Sequence, residues 1–354
     1  MGDWWKGAVT YQVYPRSFQD SNGDGVGDLP GITARLPYLS GLGVDCIWLS
    51  PVFRSPMKDM GYDVSDYCDV DPVFGTLADF DALVARAHDL GLKVIIDQVL
   101  SHSSDAHPFF AESRAVRTGE RADWYVWADP RPDGTPPNNW LSVFGGPAWT
   151  WDARRYQYYL HNFLISQPDF NYHLPAVQDW ALSVLRFWLE RGVDGFRFDT
   201  VNYFFHDPQF RDNPADPKPK AKPEANPYGM QLHLYDKNRP ENLLDEYGAM
   251  AVGEVGEAHQ AIRLMGEYTA PGRLQQCYSF EMLGDDYSPA FFRNRIQGFF
   301  DGAPEGWPMW AFSNHDVPRH AGRWAEHGAS TDAVARQACA LLLSLEGSVC
   351  LWQG

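Results

Sequence analysis

Four times along this chain an amphipathic stretch gives way to a glycine and then to a short apolar run. The four are "LPYLSGLGVDCIWLS", "LVARAHDLGLKVIID", "LRFWLERGVDGFRFD" and "LLLSLEGSVCLWQG". Before the glycine the apolar positions keep a helical period. Leu77, Phe80, Leu83, Val84, Ala87 and Leu90 share one face, as do Val177, Trp180, Val184 and Trp188. Gly43, Gly91, Gly192 and Gly347 then suit helix C-caps, where a left-handed backbone costs glycine least. Continuous apolar strands alternating with helices predict a parallel sheet buried on both faces. Eight strands start near Ala8, Val44, Lys93, Val193, Met250, Gln276, Met309 and Ser348. Eight in 354 residues favour an α/β fold closed as a (β/α)8 TIM barrel over an open sheet.

The spacing breaks once, between the third and fourth strands. Residues 101–167 are rich in aromatics and turn signals, as in "DPRPDGTPPNNW" and "FGGPAWTWDARRYQYY". That is too long for an ordinary strand-to-helix loop and reads as a small irregular inserted domain, with 1–100 and 168–354 forming the barrel. A second long loop, "NPADPKPKAKPEANPYGM", follows the fourth strand and reads as mobile. After it, "RPENLLDEYGA" has room for about two helical turns.

Composition narrows the partners. A net charge of −17 repels phosphate backbones and anionic lipid surfaces, so neither nucleic acid nor a membrane is expected. No apolar run approaches the ~18–20 residues of a membrane span. Five scattered cysteines without CxxC spacing fit a reducing compartment, and the expected location is cytoplasmic. Aromatics at 15% exceed what a core needs; exposed rings serve carbohydrate binders and protein interfaces alike. Oligomeric state is not legible.

Candidate chemistry collects at the C-terminal ends of the strands. Asp97 and His102 fall at or past the end of the third, Arg197 and Asp199 end the fourth, and Glu254 ends the fifth. Asn314, His315 and Asp316 end the seventh. Barrel enzymes build their sites on this rim. Each motif alone has a structural reading: an Asp–His hydrogen bond, a buried Arg–Asp pair, a turn. Four such motifs ending four strands of one barrel are hard to explain that way.

These motifs, in the order "DQVLSH", "GFRFDTVN", "VGEVG" and "FSNHD", closely resemble glycoside hydrolase family 13, the α-amylase family. "QPDFN" (167–171) and "DSNGDGVGDLPGI" (20–32) resemble its oligo-1,6-glucosidase and α-glucosidase branch. The resemblance implies Asp199 as nucleophile, Glu254 as acid/base and Asp316 as the carboxylate that positions and distorts the sugar. It places Asp59, Tyr62, His102, Arg197, His315 and Phe163 against substrate, with Tyr62 stacking on the terminal glucose. His102 and His315 also have a plain reading as core hydrogen-bonding histidines. A retaining glycosidase needs one carboxylate to attack and one carboxylic acid to protonate the leaving oxygen. Arg197 is expected to keep Asp199 ionised, and partial burial to keep Glu254 protonated.

Asp20, Asn22, Asp24, the Val26 carbonyl and Asp28 follow the first nine places of a calcium-binding loop, with Gly25 at the sharp turn. Gly31 stands where an EF-hand needs Glu, so this is not an EF-hand; a plain turn rich in Asp and Gly is the alternative. The resemblance implies structural Ca²⁺ or Mg²⁺ and no organic cofactor. It also implies small α-glucosides as substrates: maltose-like oligosaccharides, sucrose and aryl glucosides. Thr200, directly after Asp199, resembles members acting on α-1,4 links. Isomerisation of sucrose, glucosyl transfer and α-1,6 hydrolysis stay open beside hydrolysis.

The chain stops at "SVCLWQG", where family members continue into an eighth helix and a C-terminal β-sandwich that is absent here. An uncovered last strand would expose apolar surface. Two other readings stand against the enzyme: a truncated, non-catalytic sugar binder, and a metal-dependent barrel hydrolase using His102, His315, Asp97 and Asp316.

Overall fold

In the computed structural model, residues 3–213, 247–256, 261–325 and 330–354 are described. The eight apolar runs form eight strands: β1 (Val9–Val13), β2 (Cys46–Leu49), β3 (Lys93–Gln98), β4 (Gly195–Phe198), β5 (Met250–Val255), β6 (Gln276–Ser279), β7 (Met309–Ala311) and β8 (Ser348–Trp352). All are parallel and hydrogen-bond in the order β6-β5-β4-β3-β2-β1-β8-β7. The two end strands meet at the parallel bridge Cys277–Pro308, which brings the sheet round into a nearly closed barrel.

Strand alternation explains the unbroken apolar runs. Cys46, Trp48, Ile95, Met250, Val252, Tyr278, Met309 and Cys350 fill the barrel interior. Their neighbours Ile47, Val94, Ile96, Phe196, Phe198, Cys277, Trp310 and Val349 pack outward into the main core beneath the helices. Both faces are buried, so most of each run is apolar and the alternation between faces is faint.

The helices around it include α1 (Leu29–Leu42), α2 (Leu77–Asp89), α3 (Pro175–Leu189), α4 (Ala261–Tyr268), α5 (Pro289–Gly302) and α6 (Thr331–Leu342). Thr76 and Asp79 form a reciprocal capping box at the start of α2. Gly43 caps α1 in the left-handed region at φ 81°; Gly91 and Gly192 take φ 77° and 90° just past α2 and α3. Gly347 departs from the C-cap expectation. It lies beyond the α6 cap Leu343, in the turn into β8, where a Cβ would stand 2.9 Å from Pro308.

The insertion is more regular than its sequence suggested. It holds a helix (Pro108–Ala115) and a three-stranded antiparallel sheet in the order Trp127–Ala128, Gln157–Leu160, Trp149–Asp152. Val126, Ala128, Trp140, Ala148, Trp149 and Leu160 form its own apolar cluster, while Trp124, Tyr125 and Phe170 join the main core. Between β2 and α2, a short antiparallel pair (Phe53–Arg54 with Asp66–Val70) frames the loop bearing Asp59 and Tyr62.

Nearly all of the loop at 213–230 and of the short helix expected at 239–249 lie outside the described residues. Beside the end of β8, where Leu351 and Trp352 are half-buried, lies a cleft of about 410 Å³ lined by Tyr11, Phe18, Arg35, Tyr38, Arg319 and Gln353. All five cysteines are unpaired. Among the described residues, no helix is long and apolar enough to cross a membrane.

Candidate active site

Strand register sets the floor of the site. Asp97 on β3 lies opposite Arg197 on β4, and Glu254 on β5 lies opposite Tyr278 on β6. Phe198 pairs with Gly253, so Asp199 and Glu254 follow at one height on neighbouring strand ends. Beneath them Gly195 has no room for a side chain: a Cβ there would lie 2.2 Å from the Met250 carbonyl oxygen.

Arg197 is fully buried and pairs with three carboxylates at once. Its guanidinium reaches Asp97 Oδ1 at 2.7 Å, Asp199 Oδ1 at 2.6 Å and Glu254 Oε1 at 2.7 Å. Nε and Nη2 also donate to the Tyr278 hydroxyl, at 3.2 and 2.7 Å, and the group lies 5.0 Å from the Trp48 ring centroid. The Tyr278 hydroxyl in turn donates to Glu254 Oε1 at 2.8 Å.

One cation faces three buried carboxylates, so the site favours their protonated forms. Burial pushes the Asp97 carboxyl up to about 7, against the pull of Arg197. Burial also raises Glu254, with the Asp199 charge adding to it, in the direction an acid catalyst needs. Asp199 is raised as well. Arg197 attracts the ionised form of Asp199, as expected, but burial outweighs that attraction. Asp316, nearer the mouth, is pushed up to about 6 by burial and by the Glu254 charge; its Oδ2 accepts from Asn314 Nδ2 at 2.8 Å.

Thr200 links the two strand ends. Its φ of 40° and ψ of 55° put a β-branched residue in the left-handed region, which costs free energy. That turn aims its N–H at Glu254 Oε2 (3.2 Å) and its hydroxyl at Asp199 Oδ2 (3.3 Å).

The remaining candidates wall the pocket. The Tyr62 hydroxyl donates to Asp97 Oδ2 at 3.0 Å and lies 2.7 Å from His315 Nε2. The two rings stack, with centroids 5.2 Å apart and planes within 3°, so one face of Tyr62 is already covered. His102 Nε2 contacts the Tyr62 carbonyl oxygen at 3.0 Å, and Gln167 donates to Asp59 Oδ2 at 2.7 Å. The Phe163 ring centroid stands 5.1 Å from that of His102. His102 is buried and His315 nearly so, both have protein partners on both ring nitrogens, and burial lowers them, His102 to about 4 and His315 to about 3. They are therefore neutral at pH 7.

Three contributors escaped the sequence reading. Tyr278 and Trp48 are inward positions of apolar runs and looked like plain core; Trp48 donates to Asp97 Oδ2 at 3.2 Å. Gln12 Nε2 meets His315 Nδ1 at 2.9 Å from inside β1. Only the period-two alternation of β1, β2 and β6 carried a signal, by marking them as interior.

The metal-hydrolase reading needs Asp97, and Arg197 already pairs with that carboxylate. Among the described residues no group of three or more His, Cys, Asp or Glu side chains is placed to hold a metal. The 20–28 loop falls under the same finding, since Asp20, Asp24 and Asp28 are not drawn together and their oxygens accept from the loop itself. Asp20 accepts from the N–H groups of Asn22, Gly23 and Gly25, Asn22 Oδ1 from Asp24, and Asp24 Oδ1 from Val26. Asp28 is shared between Ser21 and the N-cap of α1. An all-oxygen set of this kind fits a hard cation in chemistry.

Comparison with known proteins shows the family. The family profile "Alpha amylase, catalytic domain" matches residues 12–354. A probable alpha-glucosidase of Rhizobium meliloti (strain 1021) is 60% identical over 368 residues, covering 99% of this chain and 67% of the relative. An oligo-1,6-glucosidase of Heyndrickxia coagulans is 38% identical over 374 residues, covering 100% and 67%. The solved structure of an alpha-glucosyl transfer enzyme, XgtA, superposes with a TM-score of 0.94 at 58% identity, covering 100% of this chain and 68% of that one. The trehalulose synthase MutB from Pseudomonas mesoacidophila MX-45 gives 0.87 at 35%, covering 100% and 66%. The chain thus spans about two thirds of the length of these relatives. With four rim motifs on a (β/α)8 barrel, a profile match from residue 12 to residue 354 and relatives at up to 60% identity, the chain belongs to the α-amylase family of glycoside hydrolases.

Proposed function

We propose that this chain is a retaining, exo-acting α-glucosidase that releases α-glucose from the non-reducing end of short α-glucosides, α-1,4 links being favoured. The observation that carries this is Asp199 and Glu254 on adjacent strand ends, joined through Arg197 under a pocket walled by Tyr62, His102 and Phe163. Asp199 attacks the anomeric carbon while Glu254 gives its proton to the leaving oxygen, so one C–O bond forms as the other breaks. Glu254, now a carboxylate, takes a proton from water or from a sugar hydroxyl. That oxygen displaces Asp199 from the face the leaving group vacated, opposite the Asp199 bond, and the α configuration returns. Asp316 and the other pocket acids favour the cationic transition state. Which acceptor wins depends on the shape of the acceptor side, and a 58% identical relative named for alpha-glucosyl transfer supports transfer as a second outcome.

Substrates are taken to be maltose-like oligosaccharides, sucrose and aryl α-glucosides. The 20–28 loop is assigned to structural Ca²⁺ or Mg²⁺, held by Asp20, Asn22, Asp24, the Val26 carbonyl and Asp28. Such an ion would stiffen the entry to α1 and take no part in the chemistry.

The test is glucose release from maltose, isomaltose, sucrose and an aryl α-glucoside, by the parent chain and by Asp199→Asn. The expected result is turnover by the parent, fastest on an α-1,4 link, and a loss of about 10⁶-fold in the variant, the scale for removing a covalent nucleophile. A folded parent with no turnover on any of the four would overturn the proposal.

A further inference from the structure

Glu254 is held by three donors, and only one of them is free of another necessary duty in the site. Arg197 Nη2 and the Tyr278 hydroxyl both reach Oε1, at 2.7 and 2.8 Å, while the Thr200 N–H reaches Oε2 at 3.2 Å. Arg197 also serves Asp97 and Asp199, and the Thr200 N–H is backbone. Tyr278 spends its hydroxyl on this one junction, accepting from Arg197 and donating to Glu254. It is buried, and its ring packs against Trp48 at 6.0 Å, which fixes where the hydroxyl oxygen lies.

We infer that Tyr278 is a positioning residue for the acid/base: its hydroxyl, with Arg197, occupies Oε1 and thereby leaves the transferable proton of Glu254 on Oε2. A carboxyl oxygen that already accepts two strong hydrogen bonds is a poor place for a proton. The less crowded oxygen takes it, and the leaving group is met from that side. This rests on the glycosidase reading above and names how its acid is oriented.

The same bond tunes when the acid is available. A hydroxyl donating to Glu254 favours the carboxylate, so its removal raises the pKa of Glu254. The other ionisable groups around Glu254 among the described residues are Arg197 and Asp199 from β4, Asp316 from the loop after β7, and Asp97 from β3. All of them survive when Tyr278 is changed to Phe, which removes one oxygen and keeps the ring.

The experiment compares the parent with Tyr278→Phe on two substrates, maltose and α-glucosyl fluoride. Fluoride leaves with little help from an acid, whereas the glucose hydroxyl of maltose needs a well-placed proton. The loss on maltose should exceed the loss on the fluoride by about tenfold or more, and the alkaline limb of kcat/KM for maltose should move to higher pH. In a Glu254→Gln background the same substitution should add little, because its route is gone. Tyr278→His, which keeps a ring and an N–H donor, should recover part of the maltose loss, and it also serves if the Phe variant does not fold. Equal losses on both substrates with an unmoved alkaline limb would overturn the inference, because a purely structural tyrosine behaves that way. A parent inactive on both substrates would instead overturn the glycosidase reading, so the two failures are distinguishable.

Discussion

Asp97 is fully buried with three partners on its two oxygens, Arg197 on one and Trp48 and Tyr62 on the other, and the Asp199 charge lies nearby. Its ionisation rises from 3.8 to about 7 on folding. The folded state therefore binds its proton more tightly than the unfolded chain does. That contribution to stability is complete below about pH 4 and is lost as pH rises through about 7. Asp97→Asn cannot titrate, so thermal melts of parent and variant from pH 4 to 8 should show the parent's relative advantage shrinking across that window. A pH-independent gap would show that the proton does not reside there. At Glu254, replacement by Gln keeps shape and removes the proton. Turnover of maltose should fall about 10²–10⁴-fold, the usual worth of a general acid, with a smaller loss on α-glucosyl fluoride. The three carboxylates and Arg197 were legible as residues, because they end apolar runs. Their balance was not: proximity to Arg197 pointed to an ionised Asp199, and burial, a property of the assembled barrel, pulls the other way.

At the level of elements, the site depends on how closely β4 and β5 approach. Gly195 stands opposite Met250 with no space for a Cβ, two residues before Arg197. Gly195→Ala should push the strands apart beneath the catalytic pair. We expect a loss of about 3 kcal/mol or more in denaturant unfolding, or failure to fold. A loss under 1 kcal/mol would mean the backbone yields there. By contrast, Thr76→Ala at the α2 capping box should cost about 1 kcal/mol and leave turnover unchanged, because the Thr76 hydroxyl bonds to Asp79 of its own helix and not to the catalytic carboxylates. Strand starts, the apolar helix faces and three of the four cap glycines were readable, since each follows from local periodicity or local backbone cost. Gly347 was not: its constraint comes from Pro308, thirty-nine residues away in sequence.

On the scale of the whole molecule, the proposed cation loop gives a prediction that is independent of catalysis. Removing divalent ions with a chelator should lower Tm, and Ca²⁺ should restore it, with kcat at 25 °C unchanged. An ion present at a hundredfold over its Kd stabilises by about 2.7 kcal/mol. Asp20→Ala, which removes the carboxylate accepting three loop N–H groups, should abolish the response to Ca²⁺. A Tm indifferent to chelator would reduce the loop to an Asp-rich turn. The same scale shows why the insertion was read as irregular. Its strands are short, and they order by packing Trp140 and Trp149 against each other and by burying Arg155, which donates to the carbonyls of Val116 and Ala122.

The sequence by itself determined the barrel, because eight apolar runs separated by amphipathic helices leave few other ways to bury both faces of a parallel sheet. It also determined which strand ends carry acid, because charge at the end of a buried run has nowhere to go except the rim. Only the tertiary structure decided that Arg197 serves three carboxylates, that Thr200 is bent into the left-handed region between them, and that Tyr278 belongs to the site. Those facts depend on the register between strands distant in sequence and on the burial they create together. Neither is written in any one strand.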